Sequence, residues 1–150
     1  MDDDRTAIIA VLNRYADACD RRDWGLFERV FTPDVTGDYG PGYQRADRAA
    51  IVASIQSNLG GCGPTQHLLG NYEVAVDGDR ATSSCRVRAY HCGTGNEAGL
   101  FYECFGRYED ELLRTADGWR ITHRRMRVDF ELGTRAVLKP LPTLEDQSGI

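Results

Sequence analysis

The sequence predicts an α+β fold in which a curved, mostly antiparallel sheet wraps around N-terminal helices. Three observations carry this. Apolar residues recur at helical spacing in stretches before Leu59, they alternate with a period of two in long strands between Arg80 and Leu113, and the stretches are separated by Gly, Pro and Asp-Gly signals. Helices first and then a meander of long strands is the α+β pattern. The concave, apolar side of such a sheet is where a pocket is expected.

The first helix is expected from Asp3 to Asp20. Asp2, Asp3 and Asp4 suit the positive end of its dipole, and Ile8, Leu12, Tyr15, Ala16 and Cys19 form its apolar stripe. Counting about 100° per residue from Ile8, Asp20 falls at about 120°, on the edge of the stripe, and Asp17 at about 180°, towards solvent. A short second helix follows, capped by Asp23 or a neighbour, with Trp24, Phe27, Val30 and Phe31 turned inward and Thr32-Pro33-Asp34 as its stop. A strand from Val35 to Tyr39 ends at Gly40-Pro41-Gly42. A third helix from Arg45 to Leu59 ends at Gly60-Gly61-Cys62-Gly63-Pro64. No helix follows these glycines, so they do not make a phosphate-binding loop.

Four strands are then expected, at Gln66–Val76, Arg80–His91, Gly99–Leu113 and Trp119–Phe130, with turns at Asp77-Gly78-Asp79 and Asp117-Gly118. Period two puts Ala81, Ser83, Cys85, Val87, Ala89 and His91 on one face of the second strand. It puts Leu100, Tyr102, Cys104, Gly106 and Tyr108 on one face of the third. Residues 131–150, with Pro140 and Pro142, have no periodicity and read as a tail, arm or lid on a single domain covering 1–150.

Composition narrows the function classes. A formal net charge of -5 argues against nucleic acid or an anionic membrane surface as partner. No apolar run approaches the roughly 20 residues of a membrane helix. The five cysteines have no CxxC spacing, and the start Met-Asp-Asp-Asp-Arg has no apolar signal core, which reads as a cytoplasmic protein with free thiols. His67, His91 and His123 stand far apart without paired ligand spacing, so no metal site is expected. There is no G-x-S-x-G elbow, H-E-x-x-H, Rossmann or Walker motif, and no cofactor is implied. Cys62 has no histidine near it in sequence, which argues against a catalytic thiol.

Three groups point inward by pattern: Asp20, His91 and, less clearly, His67, whose strand is apolar on both faces. Tyr39 stands at a strand end beside a Gly-Pro-Gly loop, where a pocket rim would be. A buried histidine beside a buried carboxylate is a general-base arrangement, the carboxylate holding the ring and stabilising its protonated form. The bland readings stand next to it: Asp20 as a helix end or cap, each histidine as a satisfied core or surface residue, and Tyr39 as core packing. His123 has no inward acid partner and reads as structural.

Taken together, Asp20-x-x-Asp23-Trp24, Phe31-Thr32-Pro33-Asp34, Gly40-Pro41-Gly42, the long strands and Asp117-Gly118-Trp119-Arg120-Ile121 resemble the SnoaL-like branch of the nuclear transport factor 2-like superfamily. The resemblance covers about residues 5 to 130. It implies a cone-shaped α+β barrel with a deep pocket, in a homodimer or homotrimer. Within the branch the pattern is most similar to the scytalone dehydratases, through Ala16-Asp17-x-x-Asp20-x-x-Asp23-Trp24, Asp38-Tyr39, Thr65-Gln66-His67 and the place of His91. That resemblance implies that Asp20 pairs with His67, that Tyr39 and His91 act on the substrate, and that Tyr15, Cys19, Phe31, Tyr102 and Tyr108 wall the site. Cys19 stands where those enzymes have a tyrosine, and their active-site asparagine has no equivalent found in the sequence.

The reading that follows is a cofactor-independent dehydratase, cyclase or isomerase acting by His-Asp general acid–base chemistry on a cyclic carbonyl compound, polyketide-like or steroid-like. In it His67 removes a proton next to the carbonyl, while Tyr39 and His91 polarise the carbonyl or assist loss of hydroxide. Two alternatives share the fold. One is a non-catalytic ligand-binding or assembly subunit, like the small subunit of a ring-hydroxylating dioxygenase. The other is an enzyme like ketosteroid isomerase or an epoxide hydrolase. For these, Asp38 points to the wrong side of its strand to serve as the isomerase base, and no Asp-Arg-Asp set is found.

Overall fold

The computed structural model describes residues 2–143. Its elements are α1 (Asp2–Arg21), a 3-10 helix (Trp24–Arg29), β1 (Phe31–Asp38), β2 (Gln44–Ala46), α2 (Arg48–Leu59), β3 (Thr65–Asp77), β4 (Arg80–Cys92), β5 (Phe101–Thr115) and β6 (Gly118–Gly133). The strands form one six-stranded sheet in the order β2-β1-β6-β5-β4-β3. Only β1 and β6 run parallel. The expected cone is thus an open one, with β2 and β3 as its edges. Register shifts in β3 and along β5–β6 mark bulges, which bend strands.

The helices lie in the concavity because their apolar faces need the sheet's inner face. Ile8, Leu12, Tyr15 and Cys19 of α1 are buried with Phe27, Ile51 and Ile55, against Cys85, Val87, Ala89, Tyr108, Leu112 and Ile121 of the strands. The amino end of α1 is tied across the sheet. Asp4 accepts from Arg114 at 2.7 and 3.0 Å and from Trp119 Nε1 at 3.2 Å, and these bonds hold its carboxyl down at about 2.

Three local expectations need correction. The second helix is a 3-10 helix that stops at Arg29, and Phe31 and Thr32-Pro33-Asp34 belong to β1. Pro33 sits where the β1–β6 register shifts, between Phe31 and Thr36, a place where its missing N–H breaks no ladder bond. Asp23 holds the N-cap position of that helix, yet its side chain makes no cap hydrogen bond. The third helix starts at Arg48, not Arg45. The Asp47 carboxylate accepts from the Ala50 N–H at 2.8 Å and caps it, while Gln44–Ala46 pair with β1 as a short hairpin strand.

The segment expected to be a tail or lid begins as the end of β6. Residues 134–143 then return over the end of α2, with Val137 fully buried. The Gly61 N–H donates to the Lys139 carbonyl at 2.8 Å, and the Lys139 N–H donates to the Asn58 carbonyl at 2.9 Å. A Cβ on Gly61 would stand 2.1 Å from the Pro140 carbonyl oxygen. The glycine cluster after α2 is therefore a seat for the carboxyl-terminal strap. Residues 144–150 of the expected tail lie outside the described residues. Among the described residues no helix is long and apolar enough to cross a membrane.

Candidate active site

The site is built where α1 ends against the start of β3. Arg22 has a left-handed backbone, φ 55°, which turns the chain out of α1. Its guanidinium donates to the carbonyls of Leu59 (2.9 Å), Cys19 (2.8 Å) and Gly63 (2.8 Å), and to Thr65 Oγ1 at 2.7 Å. Thr65 accepts from Arg22, so its own hydroxyl proton goes to Asp20 Oδ1, 2.9 Å away. Asp20 Oδ2 accepts from the His67 N–H at 2.8 Å, and Oδ1 meets His67 Nδ1 at 2.7 Å. Partial burial pushes the Asp20 carboxyl up, but the bonds from His67 and Thr65 outweigh it and hold the carboxyl below its usual range. An ionised Asp20 accepts only, so His67 Nδ1 carries a proton, and Nε2 is the ring nitrogen left to exchange one with a bound molecule.

His91 faces inward from β4 and is 4% exposed. Its Nδ1 lies 3.0 Å from the Tyr102 carbonyl oxygen. A carbonyl only accepts, so Nδ1 carries the proton and Nε2 is an acceptor. Burial pushes the imidazole down to about 4, so it is neutral at pH 7. The His67 and His91 rings meet edge to face with centroids 5.7 Å apart. Register explains this: His67 stands opposite Ala89, two residues from His91 on the same face of β4.

Phenols line the rest of the wall. The Tyr39 hydroxyl lies 3.5 Å from that of Tyr15. Burial pushes Tyr39 up to about 12 and Tyr15 and Tyr108 well above their usual range, so all three are protonated donors at neutral pH. Tyr102 donates to Glu131 Oε1 at 2.5 Å, and Arg135 Nε donates to the same oxygen at 2.7 Å.

One cavity, with a water-accessible volume of ≈ 180 Å³, gathers Tyr15, Cys19, Tyr39, His67, His91, Tyr102 and Tyr108 on its wall. Asp20 sits behind His67. Phe31 is the exception among the expected wall residues: it does not reach the cavity. At the start of β1 its ring stacks on Phe27 with centroids 6.0 Å apart and meets the edge of Tyr15 at 5.8 Å. His123 pairs with Thr36 Oγ1 at 2.7 Å, on the β1–β6 ladder. The Cys62 Sγ lies 3.1 and 3.0 Å from the carbonyls of Asn58 and Val137, and burial raises its thiol.

Sequence reasoning missed Arg22, Asp110, Arg124 and the cavity-lining residues Ser54, Asn58 and Arg135. Asp110 had a signal, being the next residue after Tyr108 on the inward face of β5. Arg124 had none. Leu112 pairs with Ile121 but Glu111 pairs with His123, and this bulge puts Arg124 out of phase with Trp119 and Ile121. Arg124 is fully buried and donates from Nε and Nη2 to Asp110 at 2.8 Å each. Among the described residues no cluster of three His, Cys, Asp or Glu side chains is placed to hold a metal ion.

Comparisons with known proteins agree with this architecture. An uncharacterised protein of Mycobacterium tuberculosis is 36% identical over 124 residues, 81% of this chain and 82% of that protein. A crystal structure of a Kribbella flavida protein superposes with a TM-score of 0.82 at 28% identity, covering 91% of this chain and 97% of that one. A candidate scytalone dehydratase from Novosphingobium aromaticivorans shares the fold, with a TM-score of 0.77 at 18% identity over 92% of this chain and 93% of its own. Residues 3–125 match the SnoaL-like domain. The chain therefore belongs to the SnoaL-like family of the nuclear transport factor 2-like superfamily.

Proposed function

We propose that the protein is a cofactor-independent lyase, a dehydratase in the first instance, for a cyclic carbonyl compound. The observation that carries this reading is the 2.7 Å contact between Asp20 and His67 Nδ1, which leaves the other ring nitrogen basic at the wall of an apolar pocket.

In this reading His67 Nε2 removes the proton next to the substrate carbonyl, and Asp20 stabilises the imidazolium that forms. Tyr39, fully protonated, donates to the carbonyl oxygen as charge builds on it. His91 takes a role different from the one expected. Its Nδ1 proton is committed to the Tyr102 carbonyl, so the neutral ring accepts a hydrogen bond from a substrate hydroxyl and does not polarise the carbonyl. The C–O bond of a hydroxyl β to the carbonyl then breaks, and the proton on His67 joins the departing hydroxide as water. The balance needs no other reactant. Cyclisation or isomerisation would use the same first step. The active form is proposed to be a homodimer or homotrimer.

The test is a panel of cyclic β-hydroxyketones assayed for the conjugated enone. Wild-type protein forms it with at least one member. His67→Ala and Asp20→Asn, with unchanged circular dichroism, lose roughly 10²–10⁴-fold in rate. Wild-type rates in both variants would sink the assignment.

A further inference from the structure

We propose that the buried Arg124–Asp110 pair is the electrostatic floor of the pocket, making its tyrosine end a seat for a substrate oxygen that carries negative charge, an enolate or a phenolate. This rests on the reading above, since it names what the proton loss must leave behind.

Packing does not account for the pair. Replacing a buried ion pair by apolar residues of similar volume is often neutral or stabilising. Here the cost is increased, because Arg124 Nη1 is buried with no hydrogen-bond partner. The guanidinium instead has aromatic company: its carbon lies 4.2 Å from the Tyr15 ring centroid and 4.0 Å from that of Tyr108. Both rings, with Tyr39, line the cavity, whereas Arg124 does not.

The pair is polarised towards those rings. Asp110 grips the Nε–Nη2 edge, which leaves Nη1 unpaired and the guanidinium carbon beside the Tyr15 and Tyr108 rings. At Tyr39 the pull of Arg124 outweighs the opposing effect of Asp110. The titratable groups around the guanidinium are Tyr15 and Cys19 from α1, Tyr39 after β1, Cys85 from β4, and Tyr108 and Asp110 from β5. Asp110 is the only carboxyl among them; the others are phenols and thiols whose ionisation burial opposes. A negative substrate oxygen accepting from Tyr39 would feel the fixed positive charge of Arg124 behind the Tyr15 and Tyr108 rings, in a buried region that screens that charge weakly. Arg124 is thus a positioning residue that acts through Tyr15, Tyr39 and Tyr108.

The probe is 4-nitrophenol, whose ionised form is coloured, so its ionisation on the protein is read without turnover. Wild-type protein is expected to bind the phenolate roughly tenfold more tightly than the neutral phenol, one pKa unit. Arg124→Met combined with Asp110→Leu removes both charges together and is expected to bind the phenol while losing the preference. His67→Ala keeps the preference, which separates this floor from the base. Should the double variant not fold, Arg124→Lys keeps the charge beside the rings, and at least half of the preference is expected to remain. The proposal is overturned by a wild-type protein without preference for phenolate, by a folded charge-free variant that keeps it, by Arg124→Lys abolishing it, or by its loss in His67→Ala.

Discussion

At the scale of single residues the site is a matter of proton bookkeeping. Asp20 and the Tyr102 carbonyl each claim one imidazole Nδ1 proton, and that fixes both tautomers. His91 then predicts a pH effect on stability. Its folded value, about 4, lies below its ordinary 6.5, so the unfolded chain takes up the proton first as pH falls. The contribution is complete above pH 6.5 and is lost between 6.5 and about 4, by as much as ~3 kcal/mol. Denaturant titrations at several pH values should show this slope, and His91→Gln should flatten it. Asp20 acts in a separate window: its lowered carboxyl contributes above its ordinary 3.8 and loses that contribution as pH falls further. Asp20 was legible in the sequence because helical arithmetic needs no tertiary information. The fully buried Arg124 was not, because one bulge between β5 and β6 resets the phase of its strand.

At the scale of elements, the long strands and α1 were readable from periodicity, and the short or polar pieces were not. The hairpin strand Gln44–Ala46 has no apolar pattern to announce it, and β1 hides a proline at its bulge. The strap after β6 was unreadable for another reason: it has no period of its own and is shaped by its seat on Gly61. That seat makes a prediction. Gly61→Ala should push the strap off the end of α2, since the new Cβ would collide with the Pro140 carbonyl. Hydrogen exchange followed by mass spectrometry should then speed up in residues 134–139 and leave β4 and β5 as slow as before. Lys139→Ala should produce a milder version, because the side chain also donates to the Thr94 carbonyl at 3.0 Å and to Glu97 at 2.8 Å.

At the scale of the whole molecule, an open cone places its chemistry inside and leaves the outer face of the sheet to be covered. On that face Leu68, Phe105 and Phe130 fall in one row across β3–β6, and Leu68 and Phe130 are exposed. Arg88 completes the row between Leu68 and Phe105 and is paired with Glu103, and Arg86 beside it is paired with Asp129. A neutral, aromatic surface of this kind suits a second copy of the chain better than a polyanion. Light scattering should therefore give a mass of two or three chains, and Phe130→Asp should lower it; a wild-type monomer would contradict the proposed assembly. The central claim is that the interior holds a carboxylate-oriented imidazole base. It is tested most directly by deuterium exchange at the carbons beside the carbonyl of 2-tetralone in heavy water, followed by proton NMR. Wild-type protein is predicted to catalyse the exchange, and His67→Ala and Asp20→Asn to slow it by roughly 10²–10⁴-fold. A wild-type protein that leaves the ketone unexchanged, or variants that exchange it at the wild-type rate, would contradict the claim.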